Sequence, residues 1–401
     1  MPKVPAAALV SDKHPTGSAE SLLWAIAERF VRSGQVSDIR PLGNGNINST
    51  FLVTVFLPSR SESRFVLQRI NAQVFRQPEL VIQNMAVLSE HLRCQPTDLP
   101  RRWETPHILP TQQGEHFWLE SGEYWRAISF IEDSHVLETV ESLAHAEEVG
   151  YGLAMFHRLI STLPVDRLAD TLEGFHITPA YLDHYAQVLT ERCTDGKTTA
   201  TDADSNAALT DALDSLQAEQ VHYCLAFVEQ RQDWAHVLER AKAAGHLQLR
   251  PIHGDPKINN IMLGENGQAV SLIDLDTLKP GLLHYDIGDC LRSGCNPLGE
   301  ETEDWENVVF DVELARAMLR GYLVQAKDFL SESDYLYLYD AIRLLAFELG
   351  LRFFTDYLEG NVYFKVKHPT HNLIRALVQF KLTESIEAQE ETLRAMIQSL
   401  R

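Results

Sequence analysis

PIHGDPKINNIMLGENGQAVSLIDLD, residues 251–276, is the stretch whose reading decides the fold of this 401-residue chain. His253, Gly254 and Asp255 are followed five residues after the aspartate by Asn260, and the apolar run Ile261, Met262, Leu263 then enters a strand. Residues 264–268 are a turn by composition, with Asn266-Gly267 the strongest short hairpin signal, so residues 269–273 should return as a second strand. Asp274 and Asp276 then emerge at a strand end. Two carboxylates and an amide converge on one end of a hairpin.

Phosphoryl transfer to a hydroxyl needs that set. One carboxylate orients the attacking hydroxyl and accepts its proton, while a second carboxylate and an amide oxygen hold Mg²⁺ against nucleotide phosphates. Asp255 fits the first role, Asn260 and Asp274 the second. A single Asp at a strand end is commonly a turn residue, and Asn-Gly alone is only a hairpin; the compound order carries the reading. H-G-D-x-x-x-x-N followed by an apolar I-D-x-D resembles the aminoglycoside phosphotransferase and choline kinase family, relatives of the protein kinases. The resemblance implies an α+β, two-lobe, protein-kinase-like fold with a small antiparallel-sheet N-lobe and a larger, mainly helical C-lobe. It implies ATP and Mg²⁺ as cofactors, and it gives Lys257 the place of the lysine that neutralises the transferring phosphoryl group.

Composition frames this. At 45% hydrophobic and 23% charged, the chain can bury a sizeable core and is long enough for two lobes. A formal net charge of -21 argues against nucleic-acid and anionic-membrane partners, either of which demands a positive surface. Five cysteines, Cys94, Cys193, Cys224, Cys290 and Cys295, form no short metal-ligand pair and are an odd number, which disfavours a disulfide framework or a structural zinc site. The opening residues have no apolar segment of signal or transmembrane length, so a cytoplasmic protein is expected, as a monomer or small homo-oligomer with small-molecule ligands.

In chain order, residues 1–17 read as a flexible tail, 18–132 as the N-lobe with its nucleotide-binding sheet, and 133–401 as the helical C-lobe with catalytic loop and acceptor pocket. Leu22, Leu23, Ile26, Phe30 and Val31 recur at helical spacing, predicting a helix over 18–33 ended by Gly34. Residues 37–42, 50–57 and 64–70 read as three short antiparallel strands. Pro78 opens a further helix, and 107–109, 115–119 and 125–130 are further strands ending at a hinge, SFIEDS, that offers its backbone to adenine. From about residue 138 helix dominates. A polar, acidic stretch over 187–210 reads as a surface loop or insertion, helices resume over 226–244, and those after 308 are broken at 359–370.

Between the first two strands lies LGNGNINSTF. Gly43 and Gly45 allow a tight turn that brings amides close to phosphates, and Asn46 and Asn48 add hydrogen-bonding groups there. An ordinary turn is the plain alternative. In the family, this position belongs to the nucleotide-covering loop, and the third strand, FVLQRI, carries a cation in place of the usual lysine; the resemblance gives that role to Arg69, with Gln68 alternating to the opposite face. Glu79 or Glu90 of the next helix is the expected partner.

KINNIML, IDLDTLKPGLLHYDIGD and RFFTDYLEGNVYFKVKHPTHNLIRALVQFKL sharpen the resemblance to the bacterial N-acetylhexosamine 1-kinase branch, which phosphorylates the anomeric hydroxyl of N-acetylglucosamine or N-acetylgalactosamine. An arginine and a tyrosine eleven residues later help bind the sugar there, and Arg352 and Tyr363 match in type and spacing. Asp286 and Asp289 are expected to brace the catalytic loop, and His157 to be a satisfied core histidine. A kinase of an amino alcohol, a homoserine-like amino acid or an aminoglycoside is the alternative enzyme; a catalytically silent nucleotide-binding regulator is the reading from another class.

Overall fold

β-branched and aromatic residues alternating along short runs build a sheet first, and buried helices follow. The computed structural model describes residues 18–43, 47–95, 99, 101–195 and 215–401. They divide into two units, one of residues up to Pro78 together with His107–Phe130, the other of Glu79–Pro106 and Ile131–Arg401.

The first unit carries helix α1 (Ser18–Glu28) and strands β1 (Gln35–Pro41), β2 (Ser49–Phe56), β3 (Glu62–Arg69), β4 (Ile108–Leu109), β5 (Trp118–Glu120) and β6 (Glu123–Ser129). The strands form one antiparallel sheet in the order β1-β2-β3-β6, with β4 and β5 both on the far edge of β6. Val53, Val55, Phe65, Leu67, Trp125 and Ala127 turn one face of the sheet onto Ile26, Ala27, Phe30 and Val31 in a dry cluster. Because side chains alternate, the even-numbered positions of β3 and β6 point to the other face. Helix α1 stops at Glu28, short of the expected residue 33, because the Gln112 side-chain amide takes the carbonyls of both Glu28 and Val31, each at 2.8 Å.

The second unit is mainly helical. It comprises α2 (Pro78–Arg93, from Glu79 on), α3 (Leu143–Ile160), α4 (Thr178–Asp195), α5 (Ser215–Glu229), α6 (Val237–Ala243), α7 (Leu283–Gly294), α8 (Val312–Ala326), α9 (Glu332–Leu336), α10 (Leu338–Glu359), α11 (His371–Ala388) and α12 (Glu390–Leu400). Three short strands, β7 (Ser134–His135), β9 (Ile261–Gly264) and β10 (Ala269–Leu272), make one small sheet; β8 (Arg250–Ile252) and β11 (Lys279–Gly281) make another. Helices α3 and α8 cross at backbone contact. A Cβ on Gly150 would lie 1.8 Å from Met318 O, and one on Gly321 2.0 Å from Glu147 O, so any side chain at either position forces the pair apart.

Two expectations are corrected. Residues 187–195 are the end of α4 rather than loop, since Tyr185 and Val188 are buried and anchor that helix; the remainder of the expected insertion, 196–214, lies outside the described residues, as does the expected tail, 1–17. Helix α7, which was not expected, buries eleven of its twelve residues, including Asp286, Asp289 and Arg292, which recur on one face and would ordinarily mark a solvent side. Among the described residues no helix is long and apolar enough to cross a membrane.

Candidate active site

Strand β8 runs antiparallel to β11, Ile252 opposite Lys279, so the chain leaves and re-enters one ladder and everything between them forms a closed excursion. The hairpin of β9 and β10 stands inside it, with a bulge between Ala269 and Ser271. Gly254 sits at φ +90°, and a Cβ there would meet Thr277 O at 2.6 Å. Only glycine lets the loop turn so close to the returning chain.

The loop is fixed from below by α7. The Asp286 carboxylate accepts the amides of His253 (2.7 Å) and Gly254 (2.8 Å) and also the Nε2 of His157 (2.8 Å), whose Nδ1 accepts from the Tyr322 hydroxyl at 2.8 Å. His253 donates from Nε2 to Ile273 O (2.8 Å), which leaves Nδ1 to accept the Asp255 amide at 3.2 Å. Burial pushes the His253 ring below its ordinary pKa, as this neutral tautomer requires. From the other side, His176 donates to Gly254 O (2.6 Å) and to Glu348 (2.8 Å), which also takes the Thr178 hydroxyl. Burial opposes the charge on His176, but the Glu348 carboxylate prevails and raises its pKa.

So fixed, Asp255 is half-buried and its Oδ2 lies 3.0 Å from Lys257 Nζ. Burial pushes the Asp255 carboxyl up against the pull of Lys257, and the same carboxylate raises the Lys257 ammonium. Asn260 donates its amide to Asp255 O (2.8 Å), leaving Oδ1 as its acceptor atom, and its carbonyl takes the amide of Ile273, the residue before Asp274. Asp274 is exposed in a left-handed turn at φ 65°. Asn260 and Asp274 each carry a hard side-chain oxygen and flank the two ends of the hairpin, tied at the backbone by the bond from Ile273 to Asn260. Among the described residues no group of three or more His, Cys, Asp or Glu side chains is set to hold a metal. Sequence reading did not find Asp289 as more than a brace: Arg292 grips its Oδ1 (2.7 and 2.9 Å) and holds its pKa down despite burial, while Oδ2 has no hydrogen-bond partner among the described residues.

Arg352, on α10, stands in an aromatic box. Its guanidinium carbon is 5.1 Å from the rings of both Phe175 and Tyr181 and 5.4 Å from that of Phe364. Burial opposes its charge, yet the Tyr181 and Tyr363 phenols and the Glu348 and Asp255 carboxylates hold its pKa up. Tyr363 packs edge-on against Phe364 and is 57% exposed. Arg352 thus feels the charge of Asp255, which is itself paired with Lys257 and backed by Asn260.

The residues assigned to the nucleotide lie in the first unit. Gly43 has φ +70°, and Asn48 Oδ1 accepts the Asn71 amide at 2.9 Å; Gly45 and Asn46 lie outside the described residues. Arg69 is on the α1 face of the sheet, bonded to Glu123 (2.7 Å) and Ser49 (3.0 Å) and over the Trp125 ring. Of the two helix glutamates weighed as its partner, Glu90 is instead paired with Arg167 at 2.6 Å.

Residues 38–332 match the phosphotransferase enzyme family, and the chain belongs to it. It is a phosphotransferase with a hydroxyl group as acceptor. The fold is similar to that of an aminoglycoside phosphotransferase from Alicyclobacillus acidocaldarius, at 17% identity over 94% of this chain and 96% of that one, with a TM-score of 0.56. It is similar to a choline kinase from Cryptosporidium parvum, at 14% identity over 94% and 97%, TM-score 0.57. It also resembles the amicoumacin kinase hAmiN, solved with AMP-PNP, Ca²⁺ and Ami, at 13% identity over 93% and 94%, TM-score 0.55.

Proposed function

We propose that this phosphotransferase uses ATP and Mg²⁺ to phosphorylate the anomeric hydroxyl of an N-acetylhexosamine. The observation that carries the reading is Arg352: a guanidinium walled by three aromatic rings, beside Tyr363 and within electrostatic reach of Asp255. A neutral sugar has no charge to anchor it and is selected by directional hydrogen bonds and by ring faces. Arg352 supplies up to five donors in a rigid fork, Tyr363 a hydroxyl and an apolar face. A fixed cation at that place disfavours a cationic acceptor such as an amino alcohol, which carboxylates and aromatic faces would suit.

In the reaction, Lys257 occupies Asp255 Oδ2, so the acceptor hydroxyl is oriented by the other oxygen, which takes its proton as the oxygen–phosphorus bond forms and the bond to ADP breaks. The raised pKa of Asp255, caused by its burial, makes it a better base than an ordinary carboxylate. Asn260 and Asp274 would hold Mg²⁺, which when bound neutralises charge on the nucleotide phosphates. An acceptor panel with ATP and Mg²⁺, read as ADP release and product identity, tests this. Formation of N-acetylglucosamine or N-acetylgalactosamine 1-phosphate is expected; phosphorylation of choline, homoserine or an aminoglycoside without a sugar 1-phosphate overturns it.

A further inference from the structure

The segment that carries Tyr363, residues 361–370 between α10 and α11, is tied down a second time, by a carboxylate from another part of the chain. Glu301, in the stretch between α7 and α8, gathers three donor side chains on its two oxygens. Oε1 accepts from the Arg375 guanidinium, through Nε at 2.7 Å and through Nη2. Oε2 accepts from Lys367 Nζ at 2.8 Å and lies 3.1 Å from His371 Nε2. Each donor leads back into the segment. Arg375 Nη1 donates to Lys365 O (3.1 Å), and His371 Nδ1 accepts the Lys367 amide (3.2 Å), which leaves Nε2 to carry the hydrogen that faces Glu301.

The same arginine reaches the near end of the segment. Arg375 Nη1 also donates to Asn372 Oδ1 (3.1 Å), and Asn372 Nδ2 donates to Asp356 Oδ2 (2.7 Å), of the carboxylate that takes the amides of Val362, Tyr363 and Phe364. In the other direction, the neighbouring Glu300 turns to α7, where its Oε2 accepts from Arg292 Nη1 (3.0 Å), and Arg292 grips Asp289. Two adjacent glutamates therefore refer the segment to the helix whose Asp286 fixes the catalytic loop. Partial burial opposes the charge on Glu301, yet Lys367 and Arg375 prevail and hold its pKa down. An isolated exposed pair contributes little, but several charges gathered on one carboxylate hold a geometry. Arg375, with its side chain only 9% exposed, needs that partner in order to be buried; Lys367, 71% exposed, does not, and its pairing serves the segment rather than the core.

We propose that Glu301 is a positioning residue for the acceptor: it holds the segment bearing Tyr363 in register with the catalytic loop, and so sets how tightly the acceptor is bound without touching either substrate. The inference rests on the reading of the acceptor as a neutral N-acetylhexosamine. That reading supplies a signature. Salt screens exposed pairs, and a neutral sugar has no charge of its own to be screened, so a salt dependence of its KM at saturating ATP reports charge contacts within the protein.

The test is steady-state kinetics of the full chain with N-acetylglucosamine and ATP, each varied at saturating levels of the other. Glu301→Gln keeps an oxygen for Arg375 and loses the charge, and should raise the sugar KM roughly three- to tenfold while the KM for ATP stays within about twofold. Lys367→Met leaves the buried Arg375 pair in place and should raise the sugar KM roughly two- to threefold. Between about 0.1 and about 1 M salt, where the screening length falls from roughly 10 to roughly 3 Å, the parent's sugar KM should climb roughly two- to threefold and that of Lys367→Met should stay nearly flat. Should Glu301→Gln melt early, Lys367→Met and its salt profile carry the test. An unchanged sugar KM in Lys367→Met, a salt profile that it shares with the parent, or a KM for ATP that rises in step with that for the sugar overturns the proposal. A parent that phosphorylates no N-acetylhexosamine overturns the acceptor reading and the inference with it, whereas a parent that does so, with variants indistinguishable from it, removes this inference alone.

Discussion

Two irregular loops of the second unit are each held by one buried aspartate, and they are held differently. Asp286 takes the amides of His253 and Gly254, and His157 and Tyr322 anchor it from behind. Asp356, at the end of α10, takes the amides of Val362 and Tyr363 on one oxygen (2.9 and 2.7 Å) and those of Phe364 and the Asn372 side chain on the other (3.0 and 2.7 Å). Behind Asp286 every partner is buried, and the loop it holds is pinned on its far side by His176. Above Asp356 the backbone is fixed, but Val362 and Tyr363 are 73% and 57% exposed. The first loop has one permitted geometry, as chemistry requires; the second presents side chains on a fixed track, so acceptor contacts can change without disturbing the fold.

The largest effect expected is on turnover. Asp255→Asn keeps size and hydrogen bonding but removes the proton acceptor and the negative charge, and should lower kcat on the order of 10²-fold or more. The melting temperature should change little, because the braces act on the backbone around Asp255 rather than on its carboxylate. Steady-state kinetics with near-parental kcat would remove Asp255 from the mechanism.

Next is Asp286→Ala, which strands two buried amides and the His157 ring at once. A loss of roughly 3–5 kcal/mol is expected, as for breaking a buried pair from one side. Denaturant unfolding measures it; a loss below about 1 kcal/mol, the size of a single ordinary hydrogen bond, would show that the catalytic loop is not held from α7. Asp356→Ala should cost less, since its loop is nearer water, and should raise the acceptor KM more than the KM for ATP. Equal effects on both would dissolve the distinction between the two loops.

Much of this was legible in the chain and some was not, for physical reasons. The hairpin at 261–272 and the break at 359–370 announce themselves through Asn266-Gly267 and through Gly360, which sits at φ 95° as the left-handed cap of α10. Local turn chemistry is written locally. The brace from His176 to Glu348 spans 172 residues, and no periodicity reports a contact of that range. Helix α7 carries a charged face that would ordinarily mark a solvent side, and the fold buries it. In the first unit, alternation correctly sends Gln68 and Arg69 to opposite faces, but which face α1 covers is a tertiary fact, and it puts Arg69 on the α1 side.

The two histidines that touch the catalytic loop should respond to pH with opposite signs. His253 is depressed below 6.5 by burial, so the unfolded chain binds its proton first; that contribution is fully present above 6.5 and is lost as pH falls toward the folded pKa. His176 is raised, so its contribution is fully present below 6.5 and is lost as pH rises through the folded value. The melting-temperature gap between the parent and His176→Gln should therefore narrow from pH 6 to pH 9. A gap that widens instead would mean that Glu348 does not favour the charged ring.

The smallest effect, and the most telling for specificity, is expected from Tyr363→Phe. The substitution keeps the ring, its edge-on contact with Phe364 and the backbone amide held by Asp356, and it removes only a hydroxyl. With the track untouched, folding and ATP affinity should be unchanged within error. What is lost is one hydrogen bond to the acceptor, worth about 0.5–1.5 kcal/mol, which corresponds to a rise in sugar KM of roughly two- to tenfold. Paired with Arg352→Ala in a double-mutant cycle, the two losses should fall short of additivity if both side chains bind one sugar, because removing either loosens the ligand for the other. Strict additivity, or a Tyr363→Phe variant with an unchanged KM for the sugar, would place the tyrosine outside the acceptor pocket. Its exposure would then be that of an ordinary surface residue, and the segment after Asp356 would be a structural tie alone.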